Sequence, residues 1–246
     1  IKLLLSIIIF IFCFKSNGQL KQPKTTPPKI NYDQLKKVAA DHLILEFGYD
    51  GWVGTNDSIN PSGFNNHFNI AFMLNSFIKS NPKFSLAYGL GFNINTASFN
   101  NTYIDLKSNQ PKLPFNKLDS LENRFNVYTL TNSSLVIPVE LRYYSDPTNP
   151  NKSWKFALGA KVGINLSSTT TGVNLKTAFG SSIYGQNYVA TETSSKFIND
   201  INVEVTGRFG WGFFGIQGAY LVTDIFKAGA TPNINRFSIG IYVSGL

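Results

Sequence analysis

The chain has 246 residues, with 22 Lys and Arg against 14 Asp and Glu, giving a formal net charge of +8. Charged residues make up only 15% of it, while Phe and Tyr number 21 and 11, a balance that argues against an ordinary soluble enzyme. The basic residues are scattered singly, with no cluster denser than Lys36-Lys37, so the surplus reads as a solvated surface and not as a nucleic-acid interface.

The first segment is expected to be a secretory signal. Lys2 supplies a positive start, residues 3–14 form an apolar run, and Ser16 and Gly18 fit the small positions before a cut at Gln19. The run is too short for a membrane helix, which needs about 20 apolar residues. Cutting there removes residues 1–18, and with them Lys2, Lys15 and the single Cys, Cys13. The mature chain then holds no thiol for a disulfide or a cysteine metal site. Residues 19–41 read as a periplasmic extension, because prolines near its start prevent a packed element.

Eight alternating segments follow over 42–246. Successive side chains leave a pleated strand on opposite faces, so a period of two marks a strand. In the first, 42–52, Leu43, Leu45, Phe47 and Tyr49 oppose Ile44, Glu46, Gly48 and Asp50. The second spans 64–78. The third, 84–99, is the clearest, with Phe84, Leu86, Tyr88, Leu90, Phe92 and Ile94 opposing Ser85, Ala87, Gly89, Gly91, Asn93 and Asn95. The fourth spans 125–144, and Pro138 predicts a bulge or kink within it, since proline cannot donate to the ladder. The fifth spans 154–169, the sixth 197–210, the seventh 213–226 and the eighth 236–246.

Links after the odd segments are long (52–63, 100–124, 170–196, 227–233). Those after the even ones are shorter (79–83, 145–153, 211–212). Long external loops alternating with short turns is the pattern of outer-membrane barrels. A chain that spans lipid without long apolar runs must close into a barrel, which alone satisfies the backbone without helices. The expected fold is therefore all-β: an eight-stranded antiparallel up-and-down transmembrane barrel in the outer membrane of a Gram-negative cell. Both termini are expected in the periplasm. Tyr49, Trp52, Tyr143, Trp154 and Trp211 fall near segment ends and are expected in the interfacial aromatic belts.

The inward faces carry isolated charges. An eight-stranded barrel is just filled by its own side chains, so these must pair. A structural lumen network is expected from Glu46, Glu140, Arg142, Lys161, Glu204, Arg208 and Arg236. Within it, Glu140 and Glu204 are shared among Arg142, Lys161, Arg208 and Arg236. The two histidines, His42 and His67, stand at opposite ends of neighbouring strands, and Asp50 and Asp57 are not placed by sequence to join them. No catalytic, cofactor or metal residue is assigned, since no serine-elbow, P-loop or dinucleotide glycine pattern occurs.

The stretches Leu135-Val-Ile-Pro-Val-Glu-Leu-Arg-Tyr143, Phe156-Ala-Leu-Gly-Ala-Lys-Val-Gly163 and Val205-Thr-Gly-Arg-Phe-Gly-Trp211 resemble the outer-membrane β-barrel domain family of Bacteroidota, which includes PorT-like proteins. The resemblance implies an eight-stranded barrel with no cofactor and no enzyme activity. Some members support type IX secretion or sit in larger outer-membrane machines. The leading expectation is a structural or accessory subunit of such a complex, in contact with the lipid bilayer and with other outer-membrane or periplasmic proteins. The alternatives are a small channel or transporter, and a surface binding or adhesin barrel acting through 100–124 and 170–196.

Overall fold

The computed structural model describes residues 42–55, 59, 61–118 and 122–245. The expected signal segment, the extension 19–41 and Leu246 lie outside the described residues. Among those described, eleven strands run in chain order: β1 Leu43–Val53, β2 Asn66–Phe77, β3 Phe84–Phe99, β4 Thr102–Ile104, β5 Phe115–Lys117, β6 Arg124–Tyr144, β7 Trp154–Lys176, β8 Val189–Thr193, β9 Ile201–Trp211, β10 Phe214–Leu221 and β11 Asn235–Ser244. The helical content among the described residues is one 3-10 turn, Pro150–Lys152.

Eight of these strands close a ring, in the order β6-β3-β2-β1-β11-β10-β9-β7, and β7 returns to β6. Every pairing in the ring is antiparallel. The closing seam joins the last strand to the first, from Ile44 opposite Ser244 to Val53 opposite Asn235. Short turns at 78–83, 145–153 and 212–213 lie at one end, and the tightest has Gly212 at φ +60° in a two-residue hairpin. The longer connections leave the opposite end.

Alternation sets the two faces. In β6, Leu135, Ile137, Val139 and Leu141 are exposed outward, while Val136, Pro138, Glu140 and Arg142 are buried inward. In β7, Trp154, Phe156, Leu158, Val162, Ile164 and Leu166 carry the same exposed apolar stripe. Together with Phe47, Ile70, Phe72, Leu90, Val205, Ile216, Ile239 and Ile241 they form a continuous outward apolar band, the face a membrane barrel turns to lipid.

The local expectations need four corrections. The register slip falls between Ser133 and Ser134, opposite Leu166, and not at Pro138. At Pro138 the pairing with β3 lapses for two residues without a slip, while the ladder to β7 runs through intact, Pro138 facing Lys161. The missing N–H is thus absorbed on one side only. The stretch 100–124 contains a small hairpin, β4 with β5. The stretch 170–196 is partly sheet, because β7 runs on to Lys176 and β8 pairs with it. Finally, β9 starts at Ile201 and β10 ends at Leu221. Phe197, Ile198, Ile225 and Phe226 turn inward instead, with Ile198 bridged to Phe226.

Those inward residues help build an apolar plug inside the long-loop end. Phe99, Ile104, Leu106, Leu113, Leu130, Phe197, Ile198, Leu221, Ile225, Phe226 and Ile234 are all buried there. Here β3 and β6 exchange the character of their two faces. Ala97, Phe99, Tyr128 and Leu130 point in, while Thr96, Ser98, Thr129 and Thr131 take the outer face.

Candidate functional site

Below the apolar plug the lumen is polar. Its inward positions come from every ring strand, so the charges converge although they are far apart in sequence. Among the described residues, four carboxylates (Glu46, Asp50, Glu140, Glu204) and five cations (Arg142, Lys155, Lys161, Arg208, Arg236) are buried there.

Eight of these charges, all but Lys155 in the contacts that follow, form ion-paired groups. Glu140 accepts from Arg142 Nε at 3.0 Å and from Arg208 Nε at 3.1 Å, with a second bond from Arg208 Nη2 that makes the pair bidentate. The Arg208 guanidinium also lies 4.9 Å from the Tyr242 ring centre. Gly210 and Gly215 make that ring possible, since a Cβ at either would stand within about 2.5 Å of Tyr242 atoms. Glu46 accepts from Lys161 Nζ at 2.5 Å and from Asn69 Nδ2 at 2.9 Å. Glu204 accepts from Arg236 Nη2.

A further group centres on Asp50. It accepts from Ser238 Oγ at 2.6 Å, from Asn95 Nδ2 at 2.8 Å and from His67 Nδ1 at 2.7 Å, with Arg236 Nε 3.7 Å away. Gln217 Nε2 lies 2.6 Å from His67 Nε2. An amide donating to Nε2 and Nδ1–H donating to Asp50 satisfies a neutral imidazole. Gly48 leaves room for that ring, because a Cβ there would come within 2.7 Å of His67 Cε1.

The expected pairing is therefore revised in two places. Lys161 binds Glu46, not Glu140 or Glu204. Asp50 and His67, unconnected in the sequence, are hydrogen-bonded. Both occupy inward positions, and Gly48 faces His67 across β1 and β2, which makes Asp50 a diagonal neighbour. His42 bonds elsewhere, to the Met73 carbonyl at 2.9 Å.

The aromatic expectations divide in the same way. Tyr49, Trp154 and Trp211 stand on the outer face, 41–50% exposed. Trp154 stacks on Phe209 and meets Trp211 edge-on at 5.1 Å, and Tyr143 packs on Phe84. Trp52 is corrected: it shares the inward parity of Glu46 and Asp50 and packs edge-on against Phe99 and Phe226, both 5.7 Å away.

Three cavities between the lumen side chains of the described residues are small, about 10 Å³ each. Such a volume holds about one water. Among the described residues no group of three or more His, Cys, Asp or Glu is arranged to hold a metal.

The family comparison agrees with this architecture. The family model described as outer membrane protein beta-barrel domain matches residues 31–227, which leaves only the closing strand β11 beyond the match. No curated protein matches the sequence. A similar solved structure is that of Ail, the attachment invasion locus protein of Yersinia pestis, in complex with the heparin analogue sucrose octasulfate. It is 14% identical, covering 82% of this chain and 96% of that one, with a TM-score of 0.28. The closed eight-strand ring, its apolar outer band and the family match lead to one assignment: the chain belongs to the outer membrane protein beta-barrel domain family and resides in the Gram-negative outer membrane.

Proposed function

We propose that this barrel is a non-enzymatic, non-conducting accessory subunit of a larger outer-membrane complex, working through its long-loop face and its lipid-facing wall. Residues 1–18 direct export, 19–41 lie in the periplasm with both ends of the barrel domain, and the long loops face outward. The observation that carries the reading is the filled lumen. Glu46, Glu140 and Glu204 are ion-paired with Lys161, Arg142, Arg208 and Arg236, three cavities between the described lumen side chains are about 10 Å³ each, and an apolar cluster closes the long-loop end. A barrel stoppered twice leaves binding, not passage, as its work. The Ile137-Pro-Val-Glu-Leu-Arg142 stretch resembles PorT-like barrels of Bacteroidota, which supports a place beside a secretion or assembly machine.

Two measurements test this. In planar bilayers the purified barrel is expected to give no steady single-channel openings; regular openings would replace the subunit reading with the channel one. Purification from native membranes in mild detergent is expected to recover a stoichiometric partner. Repeated recovery of the monomer alone overturns the subunit role.

One observation favours a second reading, a surface binding barrel. The tip between β7 and β8 exposes Phe179 (93%), Tyr184 and Tyr188, the last two 4.8 Å apart, with no packing need for aromatics there. Loss of attachment to cells on deletion of 178–187, with the barrel intact, would favour that reading.

A further inference from the structure

A larger cavity opens at the long-loop end, where the β4–β5 hairpin meets β6 and β7. Its volume is about 180 Å³, well above the lumen cavities and below the roughly 300–1,000 Å³ of a drug-sized site. That space suits one ring. Four aromatic side chains form its walls: Phe99, Tyr103, Phe125 and Tyr128. Phe125 and Tyr128 are stacked at 5.9 Å, and Tyr103 meets Tyr128 at 5.5 Å. The Tyr128 hydroxyl donates to the Ile104 carbonyl at 2.9 Å and accepts from the Ile104 amide at 3.2 Å, so this ring is held rigidly. The Tyr103 hydroxyl donates to Glu192 at 3.4 Å, a residue outside the lining.

The polar wall is as specific. Asn101, Thr102, Asn123 and Arg124 line it, and no carboxylate among the described residues does. Asn101 adopts φ +55°, a conformation Asn tolerates better than most residues, and its side-chain oxygen accepts from Arg124 Nη1 at 3.2 Å. That contact aims the guanidinium. Arg124 lies directly opposite Lys176 across β6 and β7, and Lys176 donates to the Asn126 amide oxygen at 2.7 Å. Lys117 stands opposite Thr102 on the hairpin. Like charges placed opposite each other oppose pairing. Arg124 and Lys176 both rest on neutral amides, and of the two only Arg124 lines the cavity, so an anion bound here would meet its guanidinium.

We propose that this cavity binds a single acidic sugar ring, with its C–H face on the aromatic walls, its hydroxyls at Asn101, Thr102 and Asn123, and its carboxylate at Arg124. A bare inorganic anion would use the guanidinium and leave four rings idle. A neutral aromatic would use the rings and leave the Arg124 guanidinium idle. An acidic sugar uses both walls. The site lies at the long-loop end, with Phe99 and Tyr128 of the plug forming part of its wall, and it stands whether the barrel acts alone or in a complex.

The test is titration of the full chain, folded in detergent micelles, with sodium glucuronate, followed by ligand-observed NMR. Glucose, sodium sulfate and benzoate serve as comparison probes. Saturable glucuronate binding is expected, at least about tenfold tighter than for glucose or sulfate. Arg124→Gln is expected to weaken it about tenfold or more, as loss of a charge-assisted hydrogen bond does. Tyr103→Leu, which keeps the charge, is expected to weaken it as well, and it serves alone if Arg124→Gln does not fold. Each variant is first checked for an unchanged heat-modifiable gel shift. Absence of saturable glucuronate binding overturns the site. So does equal binding by either folded variant, equal binding of sulfate, or binding of benzoate without glucuronate.

Discussion

The polar mid-barrel and the apolar plug above it are built by some of the same strands under opposite rules. In the mid-barrel β6 buries Glu140 and Arg142 and turns Ile137, Val139 and Leu141 to lipid. Earlier in the same strand Tyr128 and Leu130 are buried, and Thr129 and Thr131 turn outward. The lower region is apolar outside and polar inside because its surroundings are lipid; the upper one follows the rule of a water-soluble core. The register slip at Ser133 and Ser134 falls where the two rules meet, and the edge of the hydrocarbon layer is expected there. Strand alternation alone therefore does not identify a solvent. Which face carries the apolar residues does.

Several substitutions would break or sharpen this contrast, taken from the largest expected effect. Glu140→Ala leaves Arg142 and Arg208 without their shared carboxylate and is expected to cost about 3–5 kcal/mol, read from urea unfolding in micelles or vesicles. A loss under about 1 kcal/mol would show that the lumen pairs do not hold the ring. Next, Val139→Arg on the outer face should cost about 2–4 kcal/mol in a bilayer, whereas Leu166→Arg at the slip should cost about 0–1 kcal/mol. Equal costs would move the hydrocarbon edge away from the slip.

Ile104→Ala empties a fully buried position in the plug and is expected to cost about 2 kcal/mol. The loss should appear as faster proteolysis of the long-loop end, with the gel shift of the barrel unchanged. If both change together, the plug and the lumen are one cooperative unit. The smallest effect belongs to the short-turn end. Side-chain and backbone hydrogen bonds from Thr148 hold the exposed Asp146 carboxyl below its usual range. A lowered carboxylate stabilises fully above its unfolded value, about 3.9, and that contribution is lost as pH falls through the folded value. Asp146→Ala should therefore lower the unfolding midpoint slightly at neutral pH, and the difference should vanish in strong acid.

The ring is legible because period two survives in a single sequence. The segment 84–99 coincides with β3, and the terminal segment pairs with the first. Partner choice in the lumen is not legible. Lys161 could meet any inward carboxylate, and only the stagger of the closed ring brings it to Glu46, 115 positions away. The Asp50–His67 bond is hidden for the same reason, since it depends on β1–β2 register. Trp52 lies near a strand end, which suggests a belt, yet its parity with Glu46 and Asp50 already sets it inside. The plug leaves only a faint trace: in 124–131 apolar residues stand at odd positions (Phe125, Val127) and at even ones (Tyr128, Leu130), before Leu135, Ile137 and Val139 settle on odd. The β4–β5 hairpin leaves none, because three-residue strands are too short to show a period.

The seam between β1 and β11 joins residues about two hundred positions apart, as Ile44 and Ser244 do. No other pairing in the ring confines so much chain, so closure carries a large loop entropy and comes after the local hairpins. Until β11 docks, β1 and β10 are both raw edges with unmade hydrogen bonds, and lipid offers those edges nothing. The seam thus makes insertion all-or-none: a chain stopped before Asn235 is an open sheet that the bilayer will not accept.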